Sequence, residues 1–139
     1  MKRIYKIIVV LLLVVNNLNS QNKNSFSKEE KLHFEPQINL LLDAFKTKKV
    51  AKLNKTLAIG YTIKGLPKGI EALALPQIIQ QMPSFNKYEV KSLKFEKENY
   101  RIFLVFILKE QKINSDLLID RQGKIKELNL LENLKMDVK

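Results

Sequence analysis

The chain contains no cysteine and a single histidine among its 139 residues. Without cysteine it has neither a disulfide nor a thiolate ligand for zinc. The one histidine, His33, falls in a polar stretch ahead of the predicted fold, so we interpret it as a surface residue rather than a member of a nucleophilic triad. Only scattered carboxylates remain. We therefore predict no metal site, no cofactor and no catalytic constellation.

Arginine is also scarce in this basic chain. The formal net charge is +11, yet after residue 20 the only arginines are Arg101 and Arg121, and lysines are spread through every segment. A nucleic-acid surface is typically built from clustered arginines and aromatic stacking platforms, so we predict no nucleic-acid partner. Binding to anionic lipid or acidic polysaccharide through lysine charge stays open as an alternative.

The first twenty residues have the order of a secretory signal peptide. Three cations (Lys2, Arg3 and Lys6) precede an unbroken apolar run of nine residues, Ile7 to Val15, and a polar stretch follows. A membrane anchor, the alternative, needs about 20 apolar residues to cross the hydrocarbon. We therefore predict cleavage after Ser20 and export to the periplasm or the outside of the cell, with no stable membrane insertion afterwards.

What remains is enough for one compact domain. Residues 21–33 are polar and predict a flexible lead-in, residues 34–131 a single folded domain, and residues 132–139 a charged, frayed tail.

The first half of the domain shows helical periodicity. A helix beginning near Pro36 is indicated by an apolar stripe at spacings of three and four, and a short second helix by the same spacing after a lysine-rich corner. Gly65 to Gly69 predicts a turn after a short strand at 59–64, and a third helix is predicted over 70–82, interrupted by Pro76. The predicted inward residues of the three helices are Ile38, Leu41, Leu42, Phe45, Val50, Leu53, Leu57, Ile70, Leu73, Ala74, Ile78 and Met82.

The second half reads as antiparallel sheet. Tyr100 to Leu108 is apolar at odd and even positions alike, which favours a central strand covered on both faces. The preceding stretch, 85–95, changes phase midway and predicts a bulge. We expect turns at 97–99, 111–112 and 120–123, and a final strand over 124–131 with core contacts from Ile125, Leu128 and Leu130.

The resulting order, helices followed by a meander of three to four long strands, is an α+β fold. Three stretches, NLLLDAFKTKKVAKLNKTLA, YTIKGLPKG and FILKEQKINSDLLIDRQGKIKELNL, resemble the nuclear-transport-factor-type superfamily, also called SnoaL-like or cystatin-like. The closing turn of that family matches Asp120, Gly123, Lys124 and Ile125. The resemblance implies a curved sheet wrapped around the first helix as a cone, with an apolar pocket that members use for catalysis, for small-molecule binding or as a dimer scaffold.

Two hypotheses about function follow. The first is an exported non-enzymatic domain whose apolar cone binds a small hydrophobic molecule or forms a homodimer through its sheet. The alternative is a small lyase or isomerase in which Asp116, aided by Tyr61 or Tyr100, moves a proton. By strand parity Asp116 falls opposite Leu117, which favours an exposed face and therefore the first hypothesis. The candidate pocket residues are Phe45, Tyr61, Tyr100, Phe103 and Asp116.

Overall fold

The computed structural model describes residues 26–131. The predicted signal peptide and the predicted tail at 132–139 lie outside the described residues. The helices are α1 (Lys28–Leu32), α2 (Glu35–Thr47), α3 (Ala51–Asn54) and α4 (Glu71–Gln81). The strands are β1 (Leu57–Ile63), β2 (Lys87–Glu96), β3 (Asn99–Leu108), β4 (Gln111–Ile119) and β5 (Ile125–Asn129). Among the described helices, none is both long enough and apolar enough to cross a bilayer.

The five strands form one sheet in the order β1-β5-β4-β3-β2. Strands β2 to β5 pair as an antiparallel meander, and β1 pairs with β5 in parallel. The α+β class and the antiparallel meander of four strands are as predicted, and β1 adds a parallel strand at one edge. The middle strand is β4, and β3 is an interior strand beside it, so the apolar run at 100–108 has a neighbour on each side but is not the centre of the sheet.

One face of the sheet, which we call the inner face, packs against the helices. Ile102, Leu104 and Phe106 on β3 are at most 1% exposed and join one apolar core with Ile38 and Phe45 of α2. Phe103, Val105 and Ile107 point to the opposite side, the outer face, and lie outside that core. The run at 100–108 is therefore covered by helices on one face only, and its second face differs from the prediction.

The predicted helices form with three corrections. The carboxyl end of the predicted flexible lead-in is helical, since Ser27 and Glu30 make a reciprocal capping box that starts α1. The second helix is a single turn, and Leu57 begins β1 instead. The inward stripe of α4 is Leu75, Ile78, Ile79 and Met82; Ile70 and Leu73 were wrongly assigned to it and are 41% and 75% exposed.

The turn chemistry explains the strand boundaries. A predicted bulge in β2 is confirmed, with a register shift between Val90 and Ser92. The turn expected at 111–112 lies two residues earlier, where Lys109 takes a positive φ of 55°. The turn at 120–123 forms as predicted: Gly123 has a φ of 83°, and its carbonyl accepts a 2.9 Å hydrogen bond from Gln37 Nε2 of α2. That bond ties the first long helix to the last hairpin.

Candidate functional site on the outer face of the sheet

An apolar stripe runs along β3 on the outer face. It consists of Phe103, Val105 and Ile107; Val105 is 8% exposed and the other two are half-buried. Because side chains alternate along a strand, these three residues share a face with Arg101. The stripe thus has the same kinds of side chain, β-branched and aromatic, as the core on the other side of the strand, but it faces solvent.

One end of the stripe closes around a charged group that we call the arginine cluster: Arg101 with Glu96, Asp116, Glu127 and Asn129. Arg101 Nε lies 3.1 and 3.0 Å from the two carboxylate oxygens of Glu96. Its Nη1 donates to Asp116 Oδ2 at 2.6 Å and to Glu127 Oε1 at 2.9 Å. Asn129 Nδ2 donates to the other oxygen of Asp116 at 2.5 Å. Four strands, β2 to β5, thereby contribute to one network.

The strand register explains why these residues meet. Asp116 pairs with Phe103 and with Asn129, while Leu118 pairs with both Arg101 and Glu127. All of these residues therefore project from the outer face in two adjacent rows. The guanidinium can reach across both rows because it carries several donors in a planar fork.

The cluster is electrostatically unbalanced. Burial would lower the pKa of Arg101, but the hydrogen bonds that its guanidinium donates to Glu127, Glu96 and Asp116 outweigh this effect and raise the pKa well above its ordinary value. The arginine side chain is 17% exposed and that of Asp116 only 9%. Three carboxylates surround one guanidinium, so this end of the stripe carries excess negative charge.

The other end of the stripe carries the opposite charge. Ile107 pairs with Lys87 on β2 and with Lys112 on β4, and both lysines are exposed. At the acidic end, Lys94 on β2 pairs with Arg101, and its Nζ lies 5.4 Å from the centre of the Phe103 ring, a cation–π distance. The outer face thus combines an apolar stripe with an acidic end and a basic end.

The five predicted pocket residues do not lie together. Phe45 is fully buried in the core. Tyr61 lies on the edge strand β1, where burial and then the nearby Glu71 raise its pKa. Tyr100 is half-buried, and Phe103 and Asp116 project from the outer face. Because these residues are divided between the two faces of the sheet, they cannot line one cavity beneath it.

His33 also has a definite place. Its ring stacks on Tyr100 with centroids 4.3 Å apart, and Phe95 meets the same tyrosine edge-on at 5.1 Å. The histidine is half-buried, so the expectation of an ordinary surface residue needs correction. It packs on the start of β3 rather than facing the core.

Within the described residues, large aromatic side chains pack between the helices and the sheet. Phe45, Phe85 and Phe106 form an aromatic cluster with centroid distances of 5.2 to 6.0 Å, and all are at most 1% exposed. Two shallow clefts among the described residues, of about 270 and 240 Å³, lie at the corner between α2 and α3 and between α1 and β2.

Asp116 is placed on the predicted face but not in the predicted environment. It projects opposite Leu117, as strand parity indicated, yet it is 6% exposed because the arginine cluster covers it. Sequence reasoning missed Arg101, Glu127 and Asn129 as its partners. A signal was present: a lone arginine in an otherwise apolar interior strand needs a buried carboxylate.

The described residues offer no group of three acids, histidines or cysteines spaced to hold a metal ion. For Asp116, both carboxylate oxygens already accept hydrogen bonds from Arg101 and Asn129. A general base needs an oxygen that can reach a substrate proton, so this geometry counts against the proton-transfer role.

No model of a protein family matches the sequence, and a search of curated proteins finds no match. Several solved structures are similar in fold. A de novo designed NTF2-fold protein shares 21% identity over 75% of this chain and 85% of its own, with a TM-score of 0.49. An NTF2-like protein of unknown function from Cytophaga hutchinsonii shares 16% identity over 77% and 90% of the two chains, with a TM-score of 0.43. Another from Burkholderia xenovorans shares 9% identity over 71% and 81%, with a TM-score of 0.44. All three of these structures are described as NTF2-fold or NTF2-like proteins.

Proposed function

We propose that this chain is an exported, non-catalytic scaffold domain that pairs with a second copy through the outer face of its sheet. The observation that carries the proposal is the apolar stripe on β3 with an acidic end and a basic end. A homodimer needs a surface that is complementary to itself, and this face has that property.

The complementarity follows from the strand register. In a face-to-face pair with antiparallel β3 strands, a two-fold axis crosses the strands at Val105. The row of Ile107 in one copy then lies over the row of Phe103 in the other. On β4, Lys112 is the register partner of Ile107 and Asp116 is the register partner of Phe103. Lys112 of one copy therefore lies opposite Asp116 of the second copy. The apolar stripes of the two copies pack against each other, and the basic end of each copy lies against the acidic end of the other.

The other version of this hypothesis, a small hydrophobic molecule in the cone, has less support. The aromatic cluster of Phe45, Phe85 and Phe106 occupies the described interior between helices and sheet. A ligand there would have to displace close-packed rings, which cores resist.

Sedimentation equilibrium of the protein purified after expression with its own leader tests the pairing. We expect a dimer that Phe103→Glu converts to a monomer, because the new carboxylate lies on the stripe beside Asp116. Phe95→Glu is the matched control, since Phe95 is 59% exposed but lies away from the stripe. A wild-type monomer at high micromolar concentration, or a dimer that survives Phe103→Glu, would contradict the proposal.

The charge pairing has its own test. Lys112→Glu places a carboxylate over Asp116 of the second copy and is expected to weaken the dimer at least tenfold at low salt, with a smaller effect at high salt. Lys68→Glu, which removes a lysine from the loop after β1, leaves the dissociation constant unchanged. Mass spectrometry of the same preparation reports where the leader is cut and whether the protein retains a small molecule; an uncut leader would contradict export.

A further inference from the structure

The two edge strands of the sheet differ in the features that prevent pairing with a further strand. Strand β2 forms one edge and carries charges at Lys87, Glu89, Lys91, Lys94 and Glu96, with a bulge in its middle. Charged side chains and bulges are the usual devices that keep a sheet edge from pairing with another strand. Strand β1 forms the other edge, and its sequence LAIGYTI carries no charge at all.

The middle of β1 faces outward. Between Leu57 and Thr62 the register with β5 shifts, so residues 58–61 leave that ladder. Ile59 in this segment has a relative exposure of 105%, and a side chain built on Gly60 would meet nothing within 4 Å. Like β2, this edge has a register irregularity, but it lacks the charged side chains of β2, and the side chain that it turns outward is an isoleucine.

The sequence around β1 is rich in lysine, although two acids also lie beside the strand: Glu71 near Tyr61, and Glu127, which pairs with Thr62. From residue 44 to residue 70 the chain has seven lysines and no aspartate or glutamate: Lys46, Lys48, Lys49, Lys52, Lys55, Lys64 and Lys68. Lys124 adds to them at the start of β1, because its Nζ donates to the carbonyl of Lys55 at 2.6 Å. The uncharged edge is therefore bracketed by cations at both ends.

We propose that the β1 edge accepts an extended, acidic segment of another protein as a sixth strand. The edge supplies backbone groups for pairing, Ile59 supplies an apolar side-chain contact, and the flanking lysines supply the preference for carboxylates. A second copy of this chain does not fit this edge, because its β1 would bring lysines against lysines. This surface is separate from the outer face through which we propose pairing.

Fluorescence anisotropy with a labelled eight-residue peptide of alternating valine and glutamate tests the proposal. We expect this peptide to bind at least tenfold more tightly than a peptide of alternating valine and lysine, and to bind less tightly as salt rises. Polyaspartate of equal charge and anionic phosphatidylglycerol vesicles should bind at least tenfold more weakly. Equal binding of polyaspartate or of vesicles would overturn the strand site and indicate a plain polyanion surface.

Ile59→Lys separates a strand site from general charge attraction. It adds a positive charge, so a purely electrostatic site would bind the acidic peptide more tightly, whereas we expect at least a tenfold loss. Phe95→Lys makes the same kind of change at an exposed apolar position of β2 and should leave binding unchanged. Amide hydrogen exchange in the complex should slow within residues 57–63. Unchanged exchange there, or unchanged binding by Ile59→Lys, would overturn the proposal.

Discussion

The inner and outer faces of the sheet use the same strand in different ways. On β3, Ile102, Leu104 and Phe106 pack against helices and are nearly inaccessible, whereas Phe103 and Ile107 on the outer face are half-buried and flanked by charge. The inner face is therefore an ordinary core. The outer face shows that a strand can be apolar on both sides while the described helices cover only one of them; we propose that a second copy of the chain covers the other.

The largest difference between the faces should appear when one ring is removed from each. Phe106→Ala leaves a cavity among Phe45, Phe85 and their neighbours and is expected to lower the free energy of unfolding by about 3–5 kcal/mol. Phe103→Ala on the outer face should cost about 1 kcal/mol in the monomer, because that ring is already partly in solvent. Urea unfolding monitored by circular dichroism at a concentration below the dimer dissociation constant gives both values. Equal losses would contradict the distinction between the faces.

Removing Asp116 should reveal how much the outer face depends on its arginine cluster. Asp116→Ala withdraws an acceptor from Arg101 and from Asn129, and we expect a loss of about 2–4 kcal/mol. The double variant Asp116→Leu with Arg101→Met removes the most buried carboxylate together with its cation and should be less destabilised than Arg101→Met alone, which leaves the Asp116 carboxylate buried without its cation. Chemical denaturation of the three proteins measures this; a double variant that is the least stable would show that the ion pair itself stabilises the fold.

Disturbing the contact between Gln37 of α2 and Gly123 in the last hairpin should destabilise the fold by a smaller amount. A Cβ on Gly123 would lie 3.0 Å from Gln37 Nε2, at a φ of 83° that L-residues rarely adopt. Gly123→Ala is expected to cost about 1–2 kcal/mol. Gly60→Ala has a similar positive φ of 76° but open space around it, so it should cost only the backbone strain of about 1 kcal/mol. Thermal unfolding of both variants isolates the contact with Gln37, and a larger loss for Gly60→Ala would contradict it.

The smallest expected effect is a dependence on alkaline pH. Tyr88 lies on the edge strand β2, where it pairs with Phe106 of β3. Burial, and then the nearby Glu35, raise the pKa of Tyr88. The folded protein therefore holds this proton more tightly than the unfolded chain. Stability should be unaffected below the ordinary tyrosine pKa of about 10 and fall as pH rises through and above it. Urea midpoints between pH 8 and pH 11 measure the fall, which Tyr88→Phe should reduce.

Much of the fold was predictable because local chemistry decides it. The phase change in β2 indicated its bulge, and the Asp-x-x-Gly pattern indicated the turn at 120–123 because Gly123 supplies the positive φ. The buried face of α4 was mispredicted because leucine and isoleucine occur on two sides of that helix. Only packing against the sheet determines that Leu75 and Ile79, and not Leu73, are buried.

The site was less predictable for a physical reason. Parity placed Asp116 on the outer face, but its burial depends on register between strands far apart in sequence, which brings Arg101 to Glu127 across 26 positions. Periodicity within one strand carries no information about that register. The signal that remained was a single arginine in an apolar strand.

Pulsed electron paramagnetic resonance would test the paired outer face most directly. Because the chain has no cysteine, Asn114→Cys accepts a single nitroxide, and Asn114 pairs with Val105 on the predicted two-fold axis. Lys97→Cys places the label at the far hairpin for comparison. We predict a short distance between copies, on the order of 20 Å, for the first label, since packed sheets lie about 10 Å apart, and a much longer one for the second. A background signal without a defined distance for both labels, or a shorter distance at Lys97, would contradict pairing through the outer face.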